Sequence, residues 1–212
     1  MKNIVLVLFA VALICSCSQQ HSPQTYENPK IGLHLTYPST WQVMKKDTLN
    51  DAIAAAEGKL AFSQEAVDIA KELAPLIILT LAKPQKIGGV GRNPNINVLL
   101  IPIPKEEWKD IDLDTLIQEQ IADIKASIPG VRVTTNVLPL SAYPDIHNYS
   151  SQIPLPDRTI TQYQYVYWRP PYFVQIAFGS SHPDDEAEIK EIIRSMKIEK
   201  SNKPTGGNVG GY

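Results

Sequence analysis

The sequence predicts an α+β fold, an antiparallel β-sheet with helices packed on its faces. Three observations predict it. Apolar and polar residues alternate in several short stretches, and Pro- or Gly-containing links between many of them are too short to hold a crossover helix. Two stretches, 113–128 and 181–196, instead place their apolar residues on one helical face. Helices and strand runs are segregated along the chain, which is the α+β pattern.

The elements follow in chain order. Ile31, Leu33, Leu35 and Tyr37 alternate with Gly32, His34 and Thr36, a half-buried strand that turns at Pro38-Ser39. Trp41-Gln42-Val43 opens the next strand. Phe62 and Val67 bracket Ser63 as a hydrophobic staple around an N-cap, so a helix is expected from 63 to Leu73, stopped by Pro75. Leu76 to Leu81 is a short, almost unbroken apolar run, the signature of a buried strand. Residues 83–95 form a Gly- and Pro-containing loop. Ile96, Val98 and Leu100 then open a strand that Pro102 and Pro104 close.

Leu113, Leu116, Ile117, Ile121, Ile124 and Ile128 form a single helical stripe, with Asp112 and Asp114 at its positive end and Pro129-Gly130 as its stop. Strands are expected at 131–137 and near 148–153. Thr159–Trp168 and Tyr172–Ser180 read as a long hairpin closed through Arg169-Pro170-Pro171, where proline costs no ladder hydrogen bond. The closing helix begins near Ser181, carries Asp184, Asp185 and Glu186 in its first turn, and buries Ile189, Ile192, Ile193 and Met196.

Composition narrows the class. The chain has 212 residues, a net charge of -2 and 43% hydrophobic residues. A near-neutral chain lacks the basic excess of a nucleic-acid binder. Its apolar content is enough for a core and too high for disorder. No internal repeat or linker divides the body, so one domain is expected over 31–199, with a flexible tail at 200–212 ending Thr-Gly-Gly-Asn-Val-Gly-Gly-Tyr.

The N-terminus carries an address. Ile4 to Ile14 is an unbroken apolar run behind Lys2. Its eleven residues would rise about 16 Å as a helix, half of a ~30 Å hydrocarbon core. That is a signal peptide, expected over 1–16. Ile14-Cys15-Ser16-Cys17 looks like a bacterial lipobox, with small Ser16 before the cysteine that becomes a diacylglycerol thioether. Cys17 fits as the lipidated residue, whereas bulky Ile14 precedes Cys15. Residues 17–30 would then be the lipidated cysteine and a polar tether. Both cysteines lie within the first 17 residues, so the mature body holds no disulfide and no thiol chemistry. Ser18, rather than Asp, follows Cys17, which under the enteric sorting rule means the outer membrane, facing the periplasm.

Asn28-Pro-Lys-Ile-Gly-Leu-His-Leu-Thr-Tyr-Pro-Ser-Thr-Trp41 resembles the opening strand and Tyr-Pro-x-x-Trp turn of the PsbP and DcrB-like superfamily. Arg92-Asn-Pro-Asn-Ile-Asn-Val98, the 159–180 hairpin and the closing Ile189–Ile198 segment are similar to later elements of that family. The resemblance implies an α/β/α sandwich with an antiparallel sheet. The family includes an extrinsic photosystem protein and bacterial lipoproteins, and offers no shared catalytic motif to carry over.

Candidate chemistry is sparse. Asp110-Ile-Asp112-Leu-Asp114 invites a calcium loop, but Thr115 and Ile121 stand where an EF-hand needs Gly and Glu, and helix capping explains the acids. The glycines of 87–92 precede a strand and lack a Lys-Ser/Thr ending, so they are not a phosphate cradle. His21, His34, His147 and His182 are never i, i+3 or i+4 apart, and no metal or other cofactor is expected. Ser180, His182 and Asp184 are too close in sequence to converge as a triad. Tyr163, Tyr165 and Tyr167 alternate on one strand face beside Trp168 and Arg169, with Tyr143 and Tyr149 upstream. They either pack beneath a helix or form a surface for an envelope protein or glycan partner. The expected function is a membrane-anchored, non-catalytic binding or assembly module of the cell envelope. The alternative is an envelope hydrolase using His147 with Asp145 or Asp157.

Overall fold

The computed structural model describes residues 23–44, 74–83, 94–140, 146–155 and 158–199. The signal segment, Cys17, the helix expected over 63–73, the 84–93 loop, Tyr143, Asp145, Asp157 and the tail lie outside them. Among the described residues the chain runs β1 (Gln24–Asn28), β2 (Leu33–Tyr37), β3 (Gln42–Val43), β4 (Ile77–Ala82), β5 (Asn95–Pro102), α1 (Leu113–Ser127), β6 (Arg132–Thr135), β7 (His147–Pro154), β8 (Thr159–Arg169), β9 (Tyr172–Ser180), α2 (Pro183–Ser195) and β10 (Lys197–Ile198). Short 3-10 turns occupy Ala74–Leu76 and Lys105–Asp110.

Among the described residues every strand pair is antiparallel. Seven of the described strands form the main sheet in the order β3-β4-β5-β9-β8-β7-β6, and the other three form a second sheet, β1-β2-β10. The α+β class expected from the sequence is therefore the class found. The long hairpin is β8–β9, in register from Thr161↔Ser180 to Arg169↔Tyr172.

The second sheet corrects the sequence reading in one place. Residues 17–30 were expected to be tether, yet Gln24–Asn28 pairs along all of β2, from Gln24↔Tyr37 to Asn28↔Leu33. Gln-Thr-Tyr-Glu-Asn has no apolar alternation and stays largely exposed. Its place comes from the open backbone edge of β2, an attraction that side-chain patterning does not register. The ordered body thus starts before residue 31. On the other edge of β2, β10 pairs Ile198 with Leu33. Gly32 makes this junction possible. It sits at φ 67°, and a Cβ there would lie 3.0 Å from the Glu199 carbonyl oxygen. The Glu199 N–H donates to the Gly32 carbonyl at 2.8 Å. A side chain would both strain the backbone and push the C-terminal segment away.

The main sheet is covered on both faces. On one, Ile96, Val98, Val174, Ile176 and Phe178 meet Ile189, Ile192, Ile193 and Met196 of α2 and Leu33 and Leu35 of the small sheet. On the other, Ile117, Ile121 and Ile124 of α1 pack on Tyr149, Val166 and Phe173. These are the residues of the two helical stripes legible in the sequence.

The helix ends follow local chemistry. An Asp112 carboxylate oxygen accepts from the Asp114 N–H at 3.1 Å, and Thr115 Oγ1 donates to the other at 2.6 Å. The Thr115 hydroxyl holds the Asp112 carboxyl below its ordinary range. The acids that suggested calcium are spent in part on this cap. Gly130, at φ 76°, follows the helix end, as Pro129-Gly130 foretold. At α2 the cap is His182, whose Nδ1 accepts from the Asp184 N–H at 3.2 Å. Buried Asp185 in the first turn is paired with Lys83 Nζ at 3.2 Å, tying the end of β4 to α2. No helix among the described residues is long and apolar enough to cross a membrane.

Candidate functional site

Strand β8 carries the side chains that suggested a partner surface. Its alternation holds, but the odd positions point inward. Tyr163, Tyr165 and Tyr167 are 5%, 1% and 4% exposed. Tyr163 donates to Glu186 Oε1 at 2.7 Å, Tyr165 to the Leu138 carbonyl at 2.9 Å, and Tyr167 to the Ile31 carbonyl at 3.2 Å. The Tyr165 ring also meets Phe178 edge-on, with centroids 5.8 Å apart. The three rings are core, and the expectation that they form a partner surface is corrected. An alternating strand exposes one face only if nothing covers it. Here α2 and the small sheet cover the tyrosine face.

Burial pushes the Tyr165, Tyr167 and Tyr149 phenols well above their ordinary value, because a phenolate in this core would be desolvated. A group whose folded pKa is raised stabilises the fold below its unfolded pKa and loses that contribution as pH rises beyond it. The unfolded value is about 10. Stability should therefore hold to that pH and then fall. An absorbance titration of tyrosinate should show these phenols ionising together with loss of near-UV dichroism, and smooth ionisation in the intact fold would contradict their burial.

Trp168 and Arg169, at the end of β8, remain half-exposed. Trp168 stacks edge-on with Trp108, centroids 6.0 Å apart, and the Trp108 indole N–H donates to the Ile103 carbonyl at 2.9 Å. Arg169 donates to the Glu199 carbonyl at 3.3 Å. Two tryptophans and an arginine are thus held beside the hairpin turn.

His147 Nδ1 lies 3.3 Å from Asp114 Oδ1, a carboxylate open to solvent at the start of α1. The described acid beside this histidine is thus Asp114, whereas Asp145 and Asp157 were expected. His34 faces Glu27 at 3.0 Å across β1 and β2.

The even positions of β8 were not singled out from sequence. Gln162 and Gln164 are buried, as are Asn95 and Asn97 of β5, Thr80 of β4, Gln175 of β9, and Ser151 and Tyr149 of β7. Register places them on one face, Gln175 in the row Leu99–Gln175–Val166 and the others in two further rows. One runs Thr80–Asn97–Ala177–Gln164–Tyr149, the next Ala82–Asn95–Gly179–Gln162–Ser151. Thr80 Oγ1 donates to Asn97 Oδ1, and Asn97 Nδ2 to Asn95 Oδ1, both at 2.9 Å. Tyr149 donates to Gln164 Oε1 at 2.8 Å, Gln164 Nε2 to Gln162 Oε1 at 3.3 Å, and Gln175 Nε2 also reaches Gln164 Oε1. The signal was present as Asn-x-Asn and Gln-x-Gln at period two. A solvent-facing row gives the same pattern, so only burial tells them apart.

No family model matches the chain, and no curated protein matches it. Among solved structures it is similar to cyanobacterial PsbP (CyanoP) from Synechocystis sp. PCC 6803, with 11% identity and a TM-score of 0.45 over 88% of this chain and 98% of that one. It is similar to the Saccharomyces cerevisiae Ran-binding protein Mog1p, with 9% identity and a TM-score of 0.44 over 84% and 95%. A third similar structure is LpqN of Mycobacterium tuberculosis, involved in cell envelope biogenesis, with 12% identity and a TM-score of 0.45 over 84% and 90%. The PsbP fold to which the sequence bears its resemblance is among these structures, and the α+β class itself rests on the strand pairing and the two-sided core.

Proposed function

We propose that this chain is a lipoprotein of the cell envelope, anchored through a diacylated Cys17, that acts as a non-catalytic binding or assembly module at the membrane surface. The observation that carries the reading is Ile14-Cys15-Ser16-Cys17 directly behind the apolar run from Ile4. Two acyl chains suffice for stable anchoring, since each buried CH₂ contributes about 0.8 kcal/mol. The start of β1 supports the geometry. From Cys17 to Gln24 is 24 − 17 = 7 residues, a reach of at most about 25 Å when fully extended. The domain then stays close to the headgroups, and its partner is an envelope protein or glycan met there. Trp168 and the neighbouring Trp108 supply the partner surface on the α1 side, since tryptophan anchors interfaces, while Arg169 lies on the opposite face against Glu199.

Cys17→Ala should leave a heavier, unprocessed precursor that takes up no labelled palmitate, whereas Cys15→Ala should mature normally. Normal maturation and labelling of the Cys17 variant would refute the anchor. Crosslinking in the native envelope should recover a partner that is lost on Trp168→Ala while the melting curve keeps its cooperativity. Turnover of an envelope substrate by the purified protein, with no partner recovered, would favour the hydrolase instead.

A further inference from the structure

Strand β1 is held to the body more lightly than the strands of the main sheet. Its five residues, Gln24–Asn28, pair with β2, and among the described residues no strand covers its outer edge. Pro23 and Pro29, which bring no backbone N–H, bracket it. In an antiparallel ladder only alternate pairs exchange hydrogen bonds. The Thr36 N–H donates to Ser195 Oγ at 3.2 Å, and the Thr36 carbonyl accepts from that hydroxyl at 2.8 Å, so Thr36 turns its backbone toward α2 and away from β1. The hydrogen-bonded pairs of β1 are therefore Gln24↔Tyr37, Tyr26↔Leu35 and Asn28↔Leu33. Besides the ladder, Tyr26 packs half-buried against the main core, and Glu27 faces His34 at 3.0 Å. The neighbours of β1 are held independently of it. Strand β2 keeps β10 on its other edge and Leu33, Leu35 and Tyr37 in the core. Ile31 is fully buried, and its carbonyl accepts from the Tyr167 hydroxyl at 3.2 Å.

We propose that β1 is a releasable strap that sets how far the domain stands from the membrane, an inference that rests on the reading of Cys17 as the anchor. With β1 docked, the tether ends at Gln24. With β1 released, the first residue fixed in the body is Ile31, and the tether grows to 31 − 17 = 14 residues. Its reach then rises to at most about 50 Å, roughly twice that of the docked state. The composition of the strand suits it to both states. Gln-Thr-Tyr-Glu-Asn is polar and largely exposed, so release uncovers little apolar surface, and five residues regain their backbone freedom. Edge elements with few buried contacts are the first to open in a folded protein. Docked, the strap confines the domain to the bilayer surface. Released, it lets the same domain meet a partner farther from the bilayer, with the fold intact.

Hydrogen exchange of the mature chain on phosphatidylethanolamine–phosphatidylglycerol vesicles tests this. The amides of Leu33 and Leu35, whose hydrogen bonds go to β1, should exchange at least about hundredfold faster than those of Val174 and Ile176 in β9. Thr25→Cys with Thr36→Cys locks the strap, because a non-hydrogen-bonded antiparallel pair has Cα atoms about 4.5 Å apart, within disulfide range. With Cys17 acylated and Cys15 removed, the two new thiols find only each other. Oxidation should slow Leu33 and Leu35 at least about tenfold and leave Val174 and Ile176 unchanged, and reduction should restore the difference. Tyr26→Ala, which loosens docking and leaves the ladder in place, should speed the same two amides and not those of β9. Energy transfer from the native tryptophans to dansyl-labelled headgroups should rise when the strap is locked. A vesicle-bound chain whose Leu33 and Leu35 exchange no faster than β9, or respond neither to the lock nor to Tyr26→Ala, overturns the strap. Energy transfer unchanged by the lock overturns its spacing role. A chain that shows the exchange differences in detergent and never binds vesicles overturns that role through the anchor instead.

Discussion

Replacing Tyr165 by alanine is expected to lower the melting temperature by roughly 6–20 °C. Aromatic-to-alanine changes in a core cost about 3–5 kcal/mol, and in a domain of this size each kcal/mol moves the midpoint by roughly 2–4 °C. Tyr165 is among the largest fully buried side chains. Its removal takes away the edge-on contact with Phe178 and leaves the Leu138 carbonyl without its phenol donor. Tyr165→Phe separates the two losses. It keeps the ring and removes only the hydrogen bond, so it should cost about 1 kcal/mol. Thermal and denaturant unfolding of both variants measure this, and an unchanged midpoint for the alanine variant would mean that the ring is not in the core. A loss of partner binding in Tyr165→Ala would report unfolding rather than a contact, which is why Trp168 is the appropriate surface probe.

Ile117→Asp should be at least as damaging. Ile117 faces the sheet from the centre of the α1 stripe, in a cluster with Tyr149, Val166 and Phe173. The substitution removes apolar burial and puts a carboxylate where the surrounding cluster is apolar, an expected loss of about 4 kcal/mol or more. Protonation would relieve part of this cost, so the deficit against the parent chain should be smaller at pH 4 than at pH 7. The neighbouring, exposed Gln118→Asp supplies the control. Same-helix surface changes are usually within about 0.5 kcal/mol, so its denaturant midpoint should barely move. Equal midpoints for the two variants would contradict the packing of α1 on the sheet.

Both predictions concern residues whose spacing the sequence displayed, yet their legibility differed. The α1 stripe at Ile117, Ile121 and Ile124 could be read directly, because a 3.6-residue period names one face and an amphipathic helix has one face to bury. The β8–β9 hairpin was equally legible, since two alternating runs meet across Pro170-Pro171 with no room for a crossover. Strand β1 was not legible. Gln24–Asn28 has no hydrophobic pattern, and its backbone hydrogen bonds to β2 are independent of which side chains it carries.

The sequence by itself determined the α+β class, the helical faces of α1 and α2, the caps that begin those helices and the alternation along β8. Tertiary structure alone decided that neither side of that alternation meets solvent. A period of two sorts Tyr163, Tyr165 and Tyr167 from Gln162 and Gln164 without saying what lies over either set. Because α2 and the small sheet close over the tyrosines while the glutamines are buried on the opposite face, an apparent aromatic surface became core, and an apparently solvated row became a buried amide floor. Those layers come from segments distant along the chain, and local periodicity carries no record of such contacts.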